Sequence, residues 1–170
     1  MRVWLPIISA VFGLAVSSAV FADTVQVATR YGTLSIQELQ NKINFEGRVF
    51  FKGRPLHPDV RGNNALRFTR TFRLSDADAV LFEDEGGVGC PYLYYIVTVS
   101  PSGAASTPEF GGCGGLLDSA QKGQAIVLHT RGFCGPLEPL SEQQRSAKEI
   151  HTYSYHRGVV TKIDTFAPCR

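Results

Sequence analysis

The chain has 170 residues, of which 44% are apolar and 19% charged, a balance that excludes a disordered tail, a collagen-like rod and a multi-span membrane protein. Seventeen Lys and Arg against fifteen Asp and Glu give a formal net charge of +2. Phosphate binding needs a clustered cationic surplus, so nucleic acid is not the expected partner.

Met1 to Ala22 carries one charge, Arg2, then an apolar core from Val3 to Val16 and a small-residue end at Ser17-Ser18-Ala19-Val20-Phe21-Ala22. This is the pattern of a secretory signal peptide cut after Ala22. The competing reading, an uncleaved anchor, uses the 20 uncharged residues from Val3 to Ala22 as a span. The polar Asp23-Thr24 that follow favour cleavage. The expected mature part is a single β-rich domain over residues 23–170, periplasmic or secreted, with no membrane span.

Thr24 to Thr29 alternates polar and apolar residues, and Thr33 to Leu39 does so in part, which predicts two half-buried strands. From Ile43 to Leu56, short apolar runs are separated by Glu46-Gly47 and Lys52-Gly53, and both pairs are expected to be tight turns. Arg61-Gly62-Asn63-Asn64 reads as a loop. Leu66 to Leu74 then alternates, placing Leu66, Phe68, Arg70, Phe72 and Leu74 on one face and Arg67, Thr69, Thr71 and Arg73 on the other. Ala79 to Phe82 is a buried strand between two turns, and the acidic residues Asp76, Asp78, Glu83, Asp84 and Glu85 are expected to be solvated in those turns. Their spacing does not match a calcium loop.

Tyr92 to Val99 has apolar residues at both parities, as expected of a central strand covered on both faces. A hairpin about Pro101-Ser102-Gly103 would oppose residues whose numbers sum to about 203, and Cys90 and Cys113 do so. That pairs Cys90 with Cys113 and leaves Cys134 with Cys169, so two disulfides are expected. Spacings of 23, 21 and 35 residues between successive cysteines contain no Cys-x-x-Cys, which disfavours zinc and thioredoxin-type chemistry. Gln124 to Thr130 reads as a strand. Ser141 to Lys148 is the one expected helix, started by a capping box of Ser141 and Gln144. A final hairpin runs from Thr152-Tyr153-Ser154-Tyr155 through His156-Arg157-Gly158 into Val159 to Ile163. Many short strands with Gly and Pro turns predict an all-β fold, a sandwich or barrel-like antiparallel sheet with one short helix.

Charge is unevenly spread: residues 23 to 75 hold nine Lys and Arg against four acids, and residues 76 to 170 hold seven against eleven. No nucleotide fingerprint, Gly-x-Ser-x-Gly elbow or Ser-x-x-Lys occurs, and His57, His129, His151 and His156 lack the spacings of a zinc site. No cofactor and no metal are therefore expected. Two sets suit binding, because Arg and Tyr combine contact area with directed polar groups. They are the strand face carrying Arg67 and Arg73, and His151, Tyr153 and Tyr155 in the final hairpin.

Gly62-Asn63-Asn64, Asp76-Ala77-Asp78 before Val80-Leu81, Gly86-Gly87, Cys90-Pro91 with Tyr94, Val97-Thr98-Val99, and Pro108-x-Phe110-Gly111-x-Cys113 occur in that order. Over this middle third, the chain resembles a type of small exported bacterial protein of unassigned function. The resemblance implies an exported, disulfide-bonded globular protein and transfers no site residue. The leading expectation is a non-enzymatic module that binds another envelope or extracellular protein, inhibitor-like or immunity-like. The alternatives are a hydrolase joining an acid of the 76–85 cluster to His129 or His151, and an envelope glycan binder stacking sugars on Tyr153 and Tyr155.

Overall fold

The computed structural model describes residues 24–40, 45–164 and 169. The expected leader at 1–22 lies outside the described residues, and no helix among those described is long and apolar enough to cross a membrane. Among the described residues, fourteen strands form three antiparallel sheets, accompanied by one short helix. Sheet A contains β1 (Val25–Thr29), β2 (Gly32–Gln40), β3 (Phe45–Phe51) and two short strands, β4 (Arg54–Pro55) and β5 (Arg61–Gly62), which both pair with β3. Sheet B runs in the order β10 (Phe110–Cys113), β8 (Tyr92–Ser100), β7 (Asp78–Glu85), β6 (Ala65–Arg73), with β9 (Gly103–Ser106) also on β8. Sheet C has the order β11 (Leu116–Lys122), β12 (Ala125–Arg131), β13 (Ile150–His156), β14 (Val159–Lys162), and α1 (Leu140–Ser146) lies in the β12–β13 connection.

Sheet B is the middle layer. Val80, Phe82, Tyr95, Val97 and Val99 pack on Val27, Leu34, Ile36 and Val49 of sheet A. The residues of opposite parity, Ala79, Leu81, Tyr94 and Ile96, pack on Ile126, Leu128, Tyr153 and Tyr155 of sheet C. A strand buried on both faces reads as a continuous apolar run, which is why Tyr92 to Val99 shows no alternation. The all-β antiparallel fold with one helix and two disulfides is as expected, and the architecture is a three-layer stack.

Four local expectations are corrected. Glu46-Gly47 is not a turn but the interior of β3. A Cβ on Gly47 would stand 2.7 Å from Cβ of Leu66, and the same holds for Gly62, which is paired with Gly47. The two glycines therefore open a slot for Leu66; only the Lys52-Gly53 pair turns, with φ of 50° and 75°. Leu66 to Leu74 is not one alternating face, because a bulge between Phe68 and Arg70 inserts a residue and reverses the parity. Leu66 consequently joins the A/B core, while Phe72 and Leu74 join the B/C core. Asp78 and Glu83 to Glu85 lie within β7 and not in solvated turns, and Asp78 and Asp84 are buried. Finally, α1 begins after Pro139 with no side-chain cap bond, so Ser141 sits inside the helix and caps nothing. β11 shows no apolar periodicity, having only Ser119 buried, and was not expected.

Candidate functional site

Each expected binding residue has a definite place. Arg67 lies opposite Glu83, whereas Arg73 lies opposite Asp78. These partners have opposite parity on β7, so the bulge puts Arg67 and Arg73 on opposite faces of sheet B and no common face exists. Arg67 pairs with Glu85 at 3.0 Å in an exposed position, and Arg73 offers its carbonyl to the Gln121 amide at 2.8 Å. His151, Tyr153 and Tyr155 do share a face, but it is the face turned into the B/C core, and all three are buried. Tyr155 shares a hydrogen bond with Thr98, and the Phe110 ring packs tilted against Tyr153 with centroids 5.6 Å apart. A sugar cannot stack on rings that are already packed, so these two tyrosines are not a glycan platform.

The acid and histidine partnership of the hydrolase alternative is also not assembled in the cavities found. His129 bonds to Asp118, its cross-strand partner, at 2.6 Å, and His151 faces Glu149 at 3.5 Å. One cleft of about 490 Å³ takes Asp76 but no histidine. A second, of about 400 Å³, takes Asp84, Glu46 and Glu109, again without a histidine. Asp84 is held above the ordinary carboxylate range by burial and by the neighbouring Glu109. Among the described residues no group of three or more His, Cys, Asp or Glu is arranged to hold a metal ion.

The disulfides fall as expected. Cys90–Cys113 closes the open end of the Tyr-rich hairpin with Cα atoms 4.6 Å apart. Cys134–Cys169 has Cα atoms 5.8 Å apart and ties the C-terminal residues to the segment that precedes α1. Two disulfides suit an oxidising compartment.

That segment contains the feature sequence reasoning missed. Beyond Cys134 the chain turns at Pro136-Leu137, closed by the Glu138 N–H donating to the Gly135 carbonyl at 3.1 Å. From within α1, the Gln143 side-chain amide donates to the Glu138 carbonyl at 2.7 Å. Arg145 locks the helix in turn by pairing with Glu142 at 2.9 Å and also with Glu149. The apex of this braced loop is apolar: Leu137 is 99% exposed and Leu140 is 72% exposed. The signal available in the sequence was Cys-Gly-Pro-Leu-Glu-Pro-Leu, two leucines isolated among prolines beside a cysteine.

No family model, curated protein or solved structure matches the chain.

Proposed function

We propose that the protein is an exported, non-enzymatic module that binds another envelope or extracellular protein through the Cys134–Leu140 loop, in the manner of an inhibitor or immunity factor. The observation that carries this reading is the full exposure of Leu137 on a loop fixed at its base by a disulfide, in its turn by a backbone bond and from α1 by Gln143. Isolated exposed leucines are common. One held at a braced apex is different, because ordering the loop costs less at association and more of the gain from burying its apolar area remains as affinity. A partner offering an apolar pocket would receive Leu137 as an anchor, with Leu140 beside it and Glu138 at the rim.

The test places a photo-crosslinking amino acid at position 137 of the full chain in the cells that produce it, and at Lys122, also exposed, as a control. A single partner trapped in stoichiometric amount from 137 and not from 122 supports the reading. The Leu137→Asp chain should lose that partner while its thermal midpoint stays within about 1 °C, since a fully exposed side chain contributes little to stability. Trapping at neither position, or equal trapping at both, overturns it.

A further inference from the structure

We infer that the tip of the β3–β4 hairpin is a second binding site, one that takes an amphipathic organic anion. A cavity of about 500 Å³ opens there. Its apolar wall is the edge of the A/B core: Leu56 belongs to that core, and Phe51 and Ala104 pack against it. Its rim carries Lys52, Arg54 and His57, and among the described residues no acidic one lines it.

The turn chemistry places the cations. Lys52 and Gly53 occupy a two-residue turn with positive φ at both positions, so Arg54 returns directly opposite Phe51. The ammonium of Lys52 stands 5.0 Å from the centre of the Phe51 ring. Cationic groups thus border an apolar surface, an arrangement that suits a ligand with a charged head and a greasy body.

The charge of the rim is not neutralised from within. In the basic first third of the chain, Arg30 is paired with Asp78 at 2.8 Å, Arg48 and Arg61 with Asp59 at 3.2 and 2.7 Å, and Arg67 with Glu85 at 3.0 Å. Lys52, Arg54, Arg70 and Arg73 form no ion pair among the described residues, and the first two meet at the cavity. An unneutralised pair of cations beside a low-dielectric wall concentrates anions. The Arg54 guanidinium can take a phosphate or carboxylate with two parallel hydrogen bonds while Lys52 contributes a point charge. The apolar wall then selects, among anions, those with a hydrocarbon or aromatic body. The cavity shares no residue with the Cys134–Leu140 loop, so the two sites stand or fall separately.

Titration of the full mature chain with octyl phosphate, followed by calorimetry or by backbone amide shifts, tests the site. Saturable binding is expected, with inorganic phosphate (head alone) and octyl glucoside (body without charge) each at least tenfold weaker. The double variant Lys52→Glu, Arg54→Glu should lose at least tenfold in affinity with an unchanged circular dichroism spectrum, and Lys122→Glu, a single charge reversal on β11, should lose nothing. Co-sedimentation with phosphatidylglycerol vesicles but not phosphatidylcholine vesicles would identify the anion's source as a lipid headgroup. Octyl phosphate binding without vesicle binding would identify a free amphiphile. Absence of saturable octyl phosphate binding, or equal binding by wild type and the charge-reversed variant, overturns the proposal.

Discussion

The two faces of the central sheet meet their neighbours through different chemistry. Between sheets A and B the buried set is aliphatic apart from Phe82 and Tyr95. Between sheets B and C it includes Tyr94, Tyr153 and Tyr155. A buried phenol needs a partner for its hydroxyl. Tyr94 donates to the Gly114 carbonyl at 3.0 Å and Tyr155 bonds Thr98. Sliding sheet C across sheet B by one pair of residues would break the Tyr155–Thr98 bond and the bond that Arg70 donates to the Ser119 carbonyl of β11, whereas the aliphatic core would lose only packing. The B/C side is thereby fixed in register by directional bonds. The A/B side depends on volume and shape within its interior, with its ionic tie, Arg30 to Asp78, at the border.

The sharpest way to break this comparison is to empty the volume-dependent side. Phe82 is fully buried in the A/B core, and Phe82→Ala is expected to cost about 3–5 kcal/mol, because lost transfer energy and a residual cavity add. The urea midpoint should fall at unchanged m-value. A loss below about 1.5 kcal/mol would mean that sheet A collapses onto the gap, and that its fit to sheet B is loose.

A gentler change reads the directional side. Tyr94 and Tyr95 are neighbours on β8 whose rings enter opposite cores. Tyr94→Phe leaves the buried Gly114 carbonyl without its donor and should cost about 1–2 kcal/mol. The Tyr95 hydroxyl donates to Glu109 at 2.8 Å, where the exposed carboxylate can take water instead, so Tyr95→Phe should cost under about 0.5 kcal/mol. Equal losses in urea titrations would erase the distinction between the cores. Burial holds both phenols protonated well above their ordinary range, aided by Glu83 for Tyr94 and by Glu109 for Tyr95.

Much of this arrangement was legible in the residues. The unbroken run from Tyr92 to Val99 announced a strand buried on both sides, and the turn at Pro101-Ser102-Gly103 brought Cys90 to Cys113. The pairing Ser100 with Gly103 and Val97 with Ser106 obeys the expected sum. Further along, Tyr92 with Cys113 is shifted by two, after an irregularity between Phe110 and Cys113, and the disulfide still closes. The bulge in β6 was hidden for a physical reason: apolar residues at 66, 68, 72 and 74 keep one parity in sequence, and sheet B has a core on each face, so Leu66 could be buried on one side and Phe72 and Leu74 on the other, with Phe68 left exposed beside the bulge. Period two also does not say which face is the core, and so His151, Tyr153 and Tyr155 looked the same as an exposed aromatic face. The Leu137 apex has no periodicity at all. Its rigidity comes from Cys169, 35 residues from Cys134 along the chain, and from a side chain on α1.

The smallest effect concerns a polar residue on the A/B side. Asp84 lies opposite Leu66, buried at the margin of the aliphatic core, and accepts the Asn63 N–H at 2.7 Å. Burial, and after it Glu109, raises its pKa despite that hydrogen bond, and Glu83 is raised in the same direction by burial and Glu85. The folded chain therefore holds these protons more tightly than the unfolded chain. Their stabilising contribution is complete below the unfolded carboxyl pKa and is lost as pH rises through the folded one. Asp84→Asn keeps an acceptor for Asn63 and never ionises. It should flatten the decline in stability as pH rises above the unfolded carboxyl pKa of about 4 and leave the chain at least as stable as wild type at neutral pH. Urea midpoints across that range decide the matter. A variant clearly less stable than wild type at neutral pH would show that the ionised carboxylate is itself a structural tie, and the A/B core would then depend on a directional polar bond as the B/C core does.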